Sequence, residues 1–330
     1  MKRVVWVDNF KAISIFLVVV GHFSLLDVSI KQVIYAFHIP AFVFITGYLS
    51  LNSIAKSSFV SFLFRHIIPY VLIYLLFSIF AFFVWYFLEA RTEDFLSALG
   101  RVAYGVFYGV QGADRLLIHH NAPLWYFPFL ITSLAISYFL LKLPVWAQCT
   151  LVLFYGLFSV TYTGPRLPWC IDIAGIGVFF IFLGAWFKQY ADHIDKIVSS
   201  RMTMYMVCSI VFGLFVVLAM NNGVVNVNRA SFGEIPFFLY PIAVLGILFL
   251  FFLCKLLSGF SFLRVLSEHT LVIFCLHIFF LKALNKLSFT YGPLVDAGLV
   301  VFMSTIVVAV CVMVSIFIKP WIEKYLFFRT

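Results

Sequence analysis

Long apolar stretches, separated by short segments that carry the charges, run through the whole chain. A helix needs roughly 20 apolar residues to cross the ~30 Å hydrocarbon core of a bilayer. By this measure ten helices cross the membrane, and we place them near residues 12–26, 33–51, 67–88, 124–141, 146–163, 170–188, 203–221, 235–256, 268–286 and 294–318. The pattern predicts an all-α, polytopic bundle of about ten transmembrane helices.

The composition excludes a water-soluble protein. Of the 330 residues, 64% are hydrophobic and 11% are charged, whereas soluble domains have about 45–50% apolar and about 25% charged residues. The formal charge of +9 comes from basic residues that stand singly or in small groups between apolar stretches, so we expect no nucleic-acid partner. The six cysteines show no CxxC spacing, and we expect neither a metal site nor a disulfide framework.

Lysine and arginine counts predict the orientation of the bundle. If the N-terminus is cytoplasmic, 14 of the 22 Lys and Arg residues fall in cytoplasmic segments and 8 fall outside. Because cytoplasmic loops are enriched in these residues, we expect both termini in the cytoplasm. We expect one membrane-embedded domain over residues 1–330. Its one sizeable extramembrane or interfacial connection is the segment 89–123, for which we predict a short amphipathic helix or a re-entrant structure.

The first helix carries the clearest candidate for chemistry. Lys11 and His22 are eleven residues apart, which is about 1100° of helical rotation and roughly 16 Å of rise, so the two side chains share one face. Asp8 lies one turn before Lys11 and can pair with it. Ionisable residues in a span are costly and indicate function. The alternatives are that Lys11 extends to lipid headgroups and that His22 bonds a neighbouring carbonyl.

Two further histidines lie within predicted spans. His38 lies in the outer half of the second span, at a depth comparable with His22, and Pro40 frees a backbone carbonyl there that something polar must satisfy. His277 lies in the middle of the ninth span. Each histidine taken singly can be a packing residue. Because His22 and His38 lie at similar depth on adjacent helices, however, they favour a shared site.

Other polar and aromatic candidates lie at the ends of spans. Arg65 stands at the cytoplasmic start of the third span, where it can bind lipid phosphate or an anionic ligand. Trp125 and Tyr126 open the fourth span, either as anchors of the aromatic belt or as a surface for a sugar ring. Asp172 and Glu234 are the acidic groups best placed to orient a histidine. No hydrolase, ATPase, metalloprotease or dehydrogenase motif is present.

Several short motifs, in order, resemble the acyltransferase-3 family of integral membrane proteins. The first helix has D-x-x-K with a G-H pair that completes the K/R-x10-H spacing, and the second has FHIPAFVFITGYL, which is similar to the fucose-4-O-acetylase-like branch. The segments RHIIPY, LWYF and the T-L-x-I-x-x-x-H around His277 also match. The resemblance covers residues about 5 to 280. One departure is Ser267–Thr270, where relatives more often have Gly-x-Asn-Ser/Thr.

The resemblance implies transfer of an acyl group, most often acetyl from acetyl-CoA, to a hydroxyl on a sugar of a surface glycan or its lipid-linked precursor. It also implies ten or so helices in a bacterial inner membrane. Acyl-CoA, the glycan or lipid-linked sugar, and the bilayer are then the expected partners. Carried over by position, Lys11 and His22 are the residues that the family needs, and Arg65, Trp125 and His277 follow.

These roles suggest a mechanism. A sugar hydroxyl needs a base to attack a thioester, and neutral His22 can supply it, with Asp172 or His38 orienting its ring. Lys11, with Asp8 beside it, and Arg65 can hold the phosphates of coenzyme A, while the extended pantetheine arm spans roughly 16 Å to His22. An acyl-histidine intermediate is a variant. The candidate residues for binding the acceptor are Trp125, Tyr126, His277 and Glu234.

A transporter is the main alternative. A flippase for lipid-linked saccharides or an exporter of a small solute also places polar residues at the middle of the membrane. Broken inverted repeats would favour a transporter, and the sequence shows none. A membrane scaffold without chemistry would not need two histidines and a lysine in the bilayer.

Overall fold

The computed structural model describes residues 4–111, 122–198, 200–257, 260–285 and 292–326, which are mostly helical. Short 3-10 or π-helical turns extend or connect several of these helices. The α-helices of this part of the chain are α1 (Val5–Gly21), α2 (Val28–Tyr35), α3 (His38–Ala55), α4 (Phe59–Phe62), α5 (Ile68–Trp85), α6 (Phe95–Tyr108), α7 (Tyr126–Leu140), α8 (Val145–Thr161), α9 (Ala174–Ile197), α10 (Arg201–Asn222), α11 (Leu239–Leu256), α12 (Ser261–Leu284) and α13 (Pro293–Tyr325).

The predicted bundle of about ten helices is confirmed. In the described residues, eight helical stretches are long and apolar enough to cross a membrane. Two further helices, α1 and α8, have 17 residues each, and each of the ten predicted spans falls on one of these ten stretches. The orientation of the termini stays a prediction. The eight long stretches are Val28–Ala55, Phe59–Ala90, Pro123–Leu140, Pro168–Ala191, Arg201–Asn222, Pro236–Leu256, Ser261–Leu284 and Val295–Tyr325.

The second span differs from the single helix that we predicted over 33–51. It consists of α2 and α3, with a break at Ala36 and Phe37. Pro40 is the third residue of α3, and a missing N–H costs nothing in a first turn, where no helical acceptor exists for it. The proline therefore allows the restart of the helix at His38.

The segment 89–123 contains α6, an amphipathic helix whose limits follow from its flanking residues. The Asp94 side chain accepts a hydrogen bond from the Ser97 N–H at 2.9 Å and caps the N-terminus. Gly109, with φ of 72°, ends the helix in the left-handed conformation. Residues 112–121 lie outside the described part, and the position of the segment relative to the membrane stays a prediction.

A short hairpin interrupts the helical pattern between α10 and α11. Strand β1 (Val225–Asn226) pairs with the antiparallel strand β2 (Ser231–Phe232). Gly233 has φ of 86°, and a Cβ there would lie 2.2 Å from the Asn222 carbonyl oxygen, so only glycine fits. We did not predict these strands, because two-residue strands leave no alternating pattern in the sequence.

Contacts divide the chain into two compact units. The first unit comprises residues 1–49, 183–227 and 231–320, and the second comprises residues 50–182, 228–230 and 321–330. Each unit collects separate stretches of the chain, so neither corresponds to a domain that could be cut from the sequence in one piece. The single domain over 1–330 stays a prediction.

The first unit packs α1 against α11 and α12. Asp8 contacts Ser267 and His22 contacts His277, so α1 and α12 run parallel, as expected for the first and ninth of ten consecutive spans. Elsewhere in this unit, Gly184 of α9 approaches α3 so closely that a Cβ would lie 2.0 Å from the Phe44 carbonyl oxygen.

The second unit packs α7 against α5 and α8. Small residues let its helices approach: a Cβ at Gly175 of α9 would lie 2.2 Å from the Tyr155 carbonyl oxygen, and one at Gly177 would lie 2.1 Å from Ser133 Oγ. Tyr74 is fully buried and donates to the Val106 carbonyl at 2.8 Å, which ties α5 to α6.

Candidate active site

His22 caps the C-terminus of α1, with helical φ and ψ of −86° and −4°. Its Nδ1 lies 2.7 Å from the Val18 carbonyl oxygen, one turn back in the same helix. A carbonyl only accepts hydrogen bonds, so Nδ1 carries the proton in this contact and the Nε2 of the neutral ring keeps its lone pair. The ring is therefore held in the tautomer that a general base requires.

His277 lies beside His22. Their ring centroids are 5.1 Å apart and the ring planes are inclined by 69°. His277 is fully buried, and its Nδ1 bonds the Ile273 and Phe274 carbonyls at 3.0 and 2.9 Å. Among the described residues its Nε2 has no hydrogen-bond partner. Two imidazoles thus meet with both Nδ1 atoms engaged, a pair that no spacing in the sequence indicated.

Tyr35 links His22 to His38. Its ring centroid lies 6.4 Å from that of His22 and 4.9 Å from that of His38. His38 is 6% exposed and its Nδ1 donates to the Ile34 carbonyl at 3.0 Å, across the break between α2 and α3. The two histidines that we expected at similar depth therefore lie on either side of one tyrosine.

The absence of a side chain at Gly21 allows Tyr35 to approach α1 closely. The Tyr35 hydroxyl donates to the Gly21 carbonyl at 3.0 Å, and a Cβ at Gly21 would lie 2.8 Å from Tyr35 Cε1. Our sequence reasoning did not identify Tyr35. The glycine directly before His22 was the available signal, because a glycine within an apolar helix indicates the close approach of another group.

The chain after His22 is held by the end of α12. The backbone N–H and the hydroxyl of Ser24 both donate to Asn285 Oδ1 at 3.1 Å. Asn285 directly follows α12, the helix that carries His277. These contacts fix the turn at His22 relative to α12, the helix that carries His277. We did not identify Ser24 or Asn285 from the sequence.

The opposite end of α1 carries two of the three predicted cofactor-binding residues, Asp8 and Lys11. The Ser267 hydroxyl donates to Asp8 Oδ1 at 2.9 Å, so the segment that departs from the family motif lies within α12 and contacts α1. Buried Asn9, which we did not identify, donates to the Cys254 and Leu257 carbonyls at 3.0 Å. Lys11 is half-buried on the same helix.

The helix between Lys11 and His22 is uninterrupted, so the predicted rise of roughly 16 Å between them holds. Ile15 and Val18 lie on the same face between them, and both are buried. This face of α1 therefore points into the first unit. A mostly apolar cavity of about 610 Å³ borders a different face of α1, at Ala12 and Phe16, and suits an alkyl chain.

Four predicted residues belong to the second unit. Trp125 and Tyr126 are buried at the junction of a 3-10 turn and α7, and Arg65 is exposed in a π-helical turn, Leu63–Ile67. Asp172 is buried and bonded to Arg166. In the first unit, Glu234 is exposed beside the hairpin. The roles assigned to all these residues stay predictions.

A family model described as an acyltransferase domain matches residues 4–318, which is nearly the whole chain. No curated protein and no solved structure matches the chain. The matched region begins just before α1 and ends within α13, so it includes residues of both units.

Proposed function

Since the chain belongs to the acyltransferase-3 family, we propose that this multi-pass membrane protein transfers an acetyl group from acetyl-CoA to a sugar hydroxyl. The acceptor is a surface polysaccharide or its lipid-linked precursor, and the membrane is the inner membrane of a bacterium. The family match favours an enzyme over the transporter that we considered. Membership of the fucose-4-O-acetylase-like branch stays a prediction.

The observation that carries the proposal is the state of His22. Its Nδ1 is engaged with the Val18 carbonyl, which leaves Nε2 as a hydrogen-bond acceptor beside a second imidazole, that of His277. A base for a sugar hydroxyl must accept a proton near neutral pH, and a neutral imidazole does so.

The proposed reaction has two stages. The acceptor hydroxyl donates its proton to His22 Nε2 while its oxygen attacks the thioester carbonyl, and a tetrahedral intermediate forms. The C–S bond then breaks, the ester forms, and the coenzyme A thiolate takes the proton back from the imidazolium. His277 Nε2, which has no partner in the described residues, can accept a hydrogen bond from a neighbouring acceptor hydroxyl.

Lys11 is proposed to hold a phosphate of coenzyme A, because its side chain is cationic, as phosphate binding requires. The same role expected for Arg65 stays a prediction. The rise of roughly 16 Å along α1 between Lys11 and His22 suits an extended pantetheine arm. Asp8 contacts Ser267 through one oxygen and is proposed to position this end of α1.

The alternative course is attack of His22 itself on the thioester, which forms an acyl-histidine and releases coenzyme A before the acceptor binds. The Val18 carbonyl already holds Nδ1 of the ring, and the roles expected for Asp172 and His38 in orienting it stay predictions. Incubation with acetyl-CoA alone separates the two courses, because only the second course acetylates the His22 peptide without an acceptor.

The decisive test is the His22→Ala variant in liposomes, supplied with acetyl-CoA and a panel of neutral methyl glycosides. Loss of a general base lowers turnover about 10²- to 10⁴-fold, and we expect this loss in the release of free coenzyme A. The matched control is His193→Ala, which alters an exposed histidine of α9 and should retain turnover. Full activity of a folded His22→Ala protein would overturn the proposal.

Lys11→Ala tests the donor site. We expect a higher KM for acetyl-CoA with a smaller change in kcat, because the residue holds the donor and takes no part in proton transfer. The control is Lys56→Ala, at an exposed lysine. An unchanged KM would assign Lys11 to membrane anchoring.

A further inference from the structure

A buried ion pair lies in the segment between α8 and α9. Arg166 Nε donates to Asp172 Oδ2. Asp172 is 1% exposed, whereas the Arg166 side chain is 19% exposed. Arg166 also donates through Nη1 to the Asn228 carbonyl, and Asn228 Nδ2 donates to Gln111 Oε1. Four polar residues from three separate stretches of the second unit therefore form one connected group, which we call the Arg166 cluster.

The Arg166 cluster keeps three unused polar atoms. Arg166 Nη2, Asp172 Oδ1 and Asn228 Oδ1 are all buried, and none has a hydrogen-bond partner in the described residues. Buried polar atoms in folded proteins are nearly always paired. The cluster thus has one donor, Arg166 Nη2, and two acceptors, Asp172 Oδ1 and Asn228 Oδ1, that the described chain does not satisfy. Nη2 and Oδ1 remain unpaired even though their residues, Arg166 and Asp172, form an ion pair through other atoms.

The backbone around the Arg166 cluster is held firmly. Trp169 and Cys170 have φ of 54° and 57°, which non-glycine residues seldom adopt. Three side chains of other helices fix this segment by donating to its carbonyls at Arg166, Trp169 and Ile171. The donors are Tyr108 at 2.7 Å, Thr132 at 2.8 Å and Tyr155 at 2.5 Å. The unused atoms are therefore fixed before any ligand arrives, which lowers the entropic cost of binding.

The charges of the cluster select a class of ligand. An anion at this place would meet the Asp172 carboxylate, and a cation would meet the Arg166 guanidinium. A hydroxyl both donates and accepts, so neighbouring hydroxyls satisfy all three atoms without adding charge. We propose that the Arg166 cluster binds a neutral polyhydroxylated ligand.

In this site one hydroxyl donates to Asp172 Oδ1, a second donates to Asn228 Oδ1, and Arg166 Nη2 donates to a hydroxyl oxygen. The ligand reaches the cluster past Arg166, the more exposed partner of the ion pair. The site involves no acyl donor, so the proposal goes beyond acetyl transfer and does not depend on it.

Binding of three sugars that share one ring tests the proposal. The probes are methyl glucoside, which is neutral, glucosamine, which is cationic, and glucuronate, which is anionic. The full chain is placed in nanodiscs, because maltoside detergents carry sugars, and binding is followed by saturation-transfer NMR and calorimetry. We expect saturable binding of methyl glucoside that is at least tenfold tighter than binding of either charged sugar.

Two variants locate the site. Asp172→Asn and Asn228→Ala should each weaken binding of methyl glucoside at least fivefold. Asp172 is buried, and if its variant does not fold, the result for Asn228→Ala decides the test. The matched control is Glu93→Gln, which alters the exposed ion pair with Arg101 in the same unit and should bind as the wild type does. His22→Ala should also bind normally, which separates failure of this site from failure of the proposed acetyl transfer.

Three results would overturn the proposal: no saturable binding to the wild type, equal affinity for the charged sugars, or normal binding by folded variants of the cluster. Loss of thermal stability without loss of sugar binding belongs to the third result, and would show that the cluster only supports the fold.

Discussion

His38 and His277 of the first unit and Asp172 of the second unit are buried, while His22 and Arg166 are partly buried. Different contacts hold the three histidines and the ion pair. Each of His22, His38 and His277 anchors its Nδ1 on a carbonyl four residues earlier in the chain. Arg166 instead bonds groups that lie 6 and 62 residues away, and Asn228 reaches a partner 117 residues away.

The difference shows two ways in which a polar group can be held in a fixed orientation before it binds or reacts. A contact within one turn fixes the tautomer of an imidazole and leaves the other nitrogen for chemistry, whatever the neighbouring helices do. A network between distant segments fixes several groups at once, but every member depends on the tertiary structure. Changes in the second unit should therefore cost more stability than comparable changes beside the histidines.

The largest expected effect is that of Arg166→Met, which keeps a long side chain but leaves the Asp172 carboxylate buried without its charge partner. Removing one member of a buried pair costs about 3–5 kcal/mol in the free energy of unfolding. The measurement is the unfolding transition in detergent. The control is Arg101→Met in the exposed pair with Glu93, for which about 1 kcal/mol or less is expected. Similar losses of stability in Arg166→Met and Arg101→Met would contradict the difference expected between the buried and the exposed ion pair.

The next effect concerns packing in the first unit. A Cβ at Gly184 would lie 2.0 Å from the Phe44 carbonyl oxygen and 2.8 Å from the Tyr48 nitrogen, so Gly184→Ala must move backbone, at about 1–3 kcal/mol. Gly213→Ala is the matched control in a helix, since nothing lies within 4 Å of its Cβ, and it should raise stability by up to about 1 kcal/mol. Unfolding in detergent measures both, and a neutral Gly184→Ala would be the contrary result.

Tyr35→Phe should have a smaller effect on stability and a clearer one on turnover. It removes the hydrogen bond to the Gly21 carbonyl, a loss of about 0.5–1.5 kcal/mol, and it loosens the ring between His22 and His38. We expect lower kcat with unchanged KM for acetyl-CoA, measured as release of coenzyme A. Tyr190→Phe, at an exposed tyrosine, is the control and should leave kcat unchanged.

The smallest effect is a pH dependence at the start of α6. The Ser97 N–H that bonds the Asp94 carboxylate lowers the pKa of that group below its usual value. A lowered pKa in the folded state means that the cap stabilises α6 above the ordinary pKa of an aspartate and is lost as the pH falls through the lower value. Hydrogen exchange of the Ser97 amide should therefore speed up in acid relative to neighbouring amides. Asp94→Asn keeps an acceptor and should remove the pH dependence.

The helices themselves follow from the sequence. Apolar stretches of sufficient length predicted all ten, because in a bilayer every backbone polar group must be satisfied within its own segment. The common face of Lys11 and His22 was predictable for the same reason, since an uninterrupted helix converts a spacing of eleven residues into an angle and a rise. The anchor of His22 on Val18 is equally local.

Contacts between distant segments could not be predicted in this way. Nothing in the spacing of residues places His277 against His22, Tyr35 between two histidines, or Asn228 beside Arg166. Lipid-facing and protein-facing helix surfaces are both apolar, so the pattern that marks a span says little about which of its faces meets another helix. The local sequence determined the helices and the tautomers of their histidines, and only the packing of those helices decided which polar groups meet.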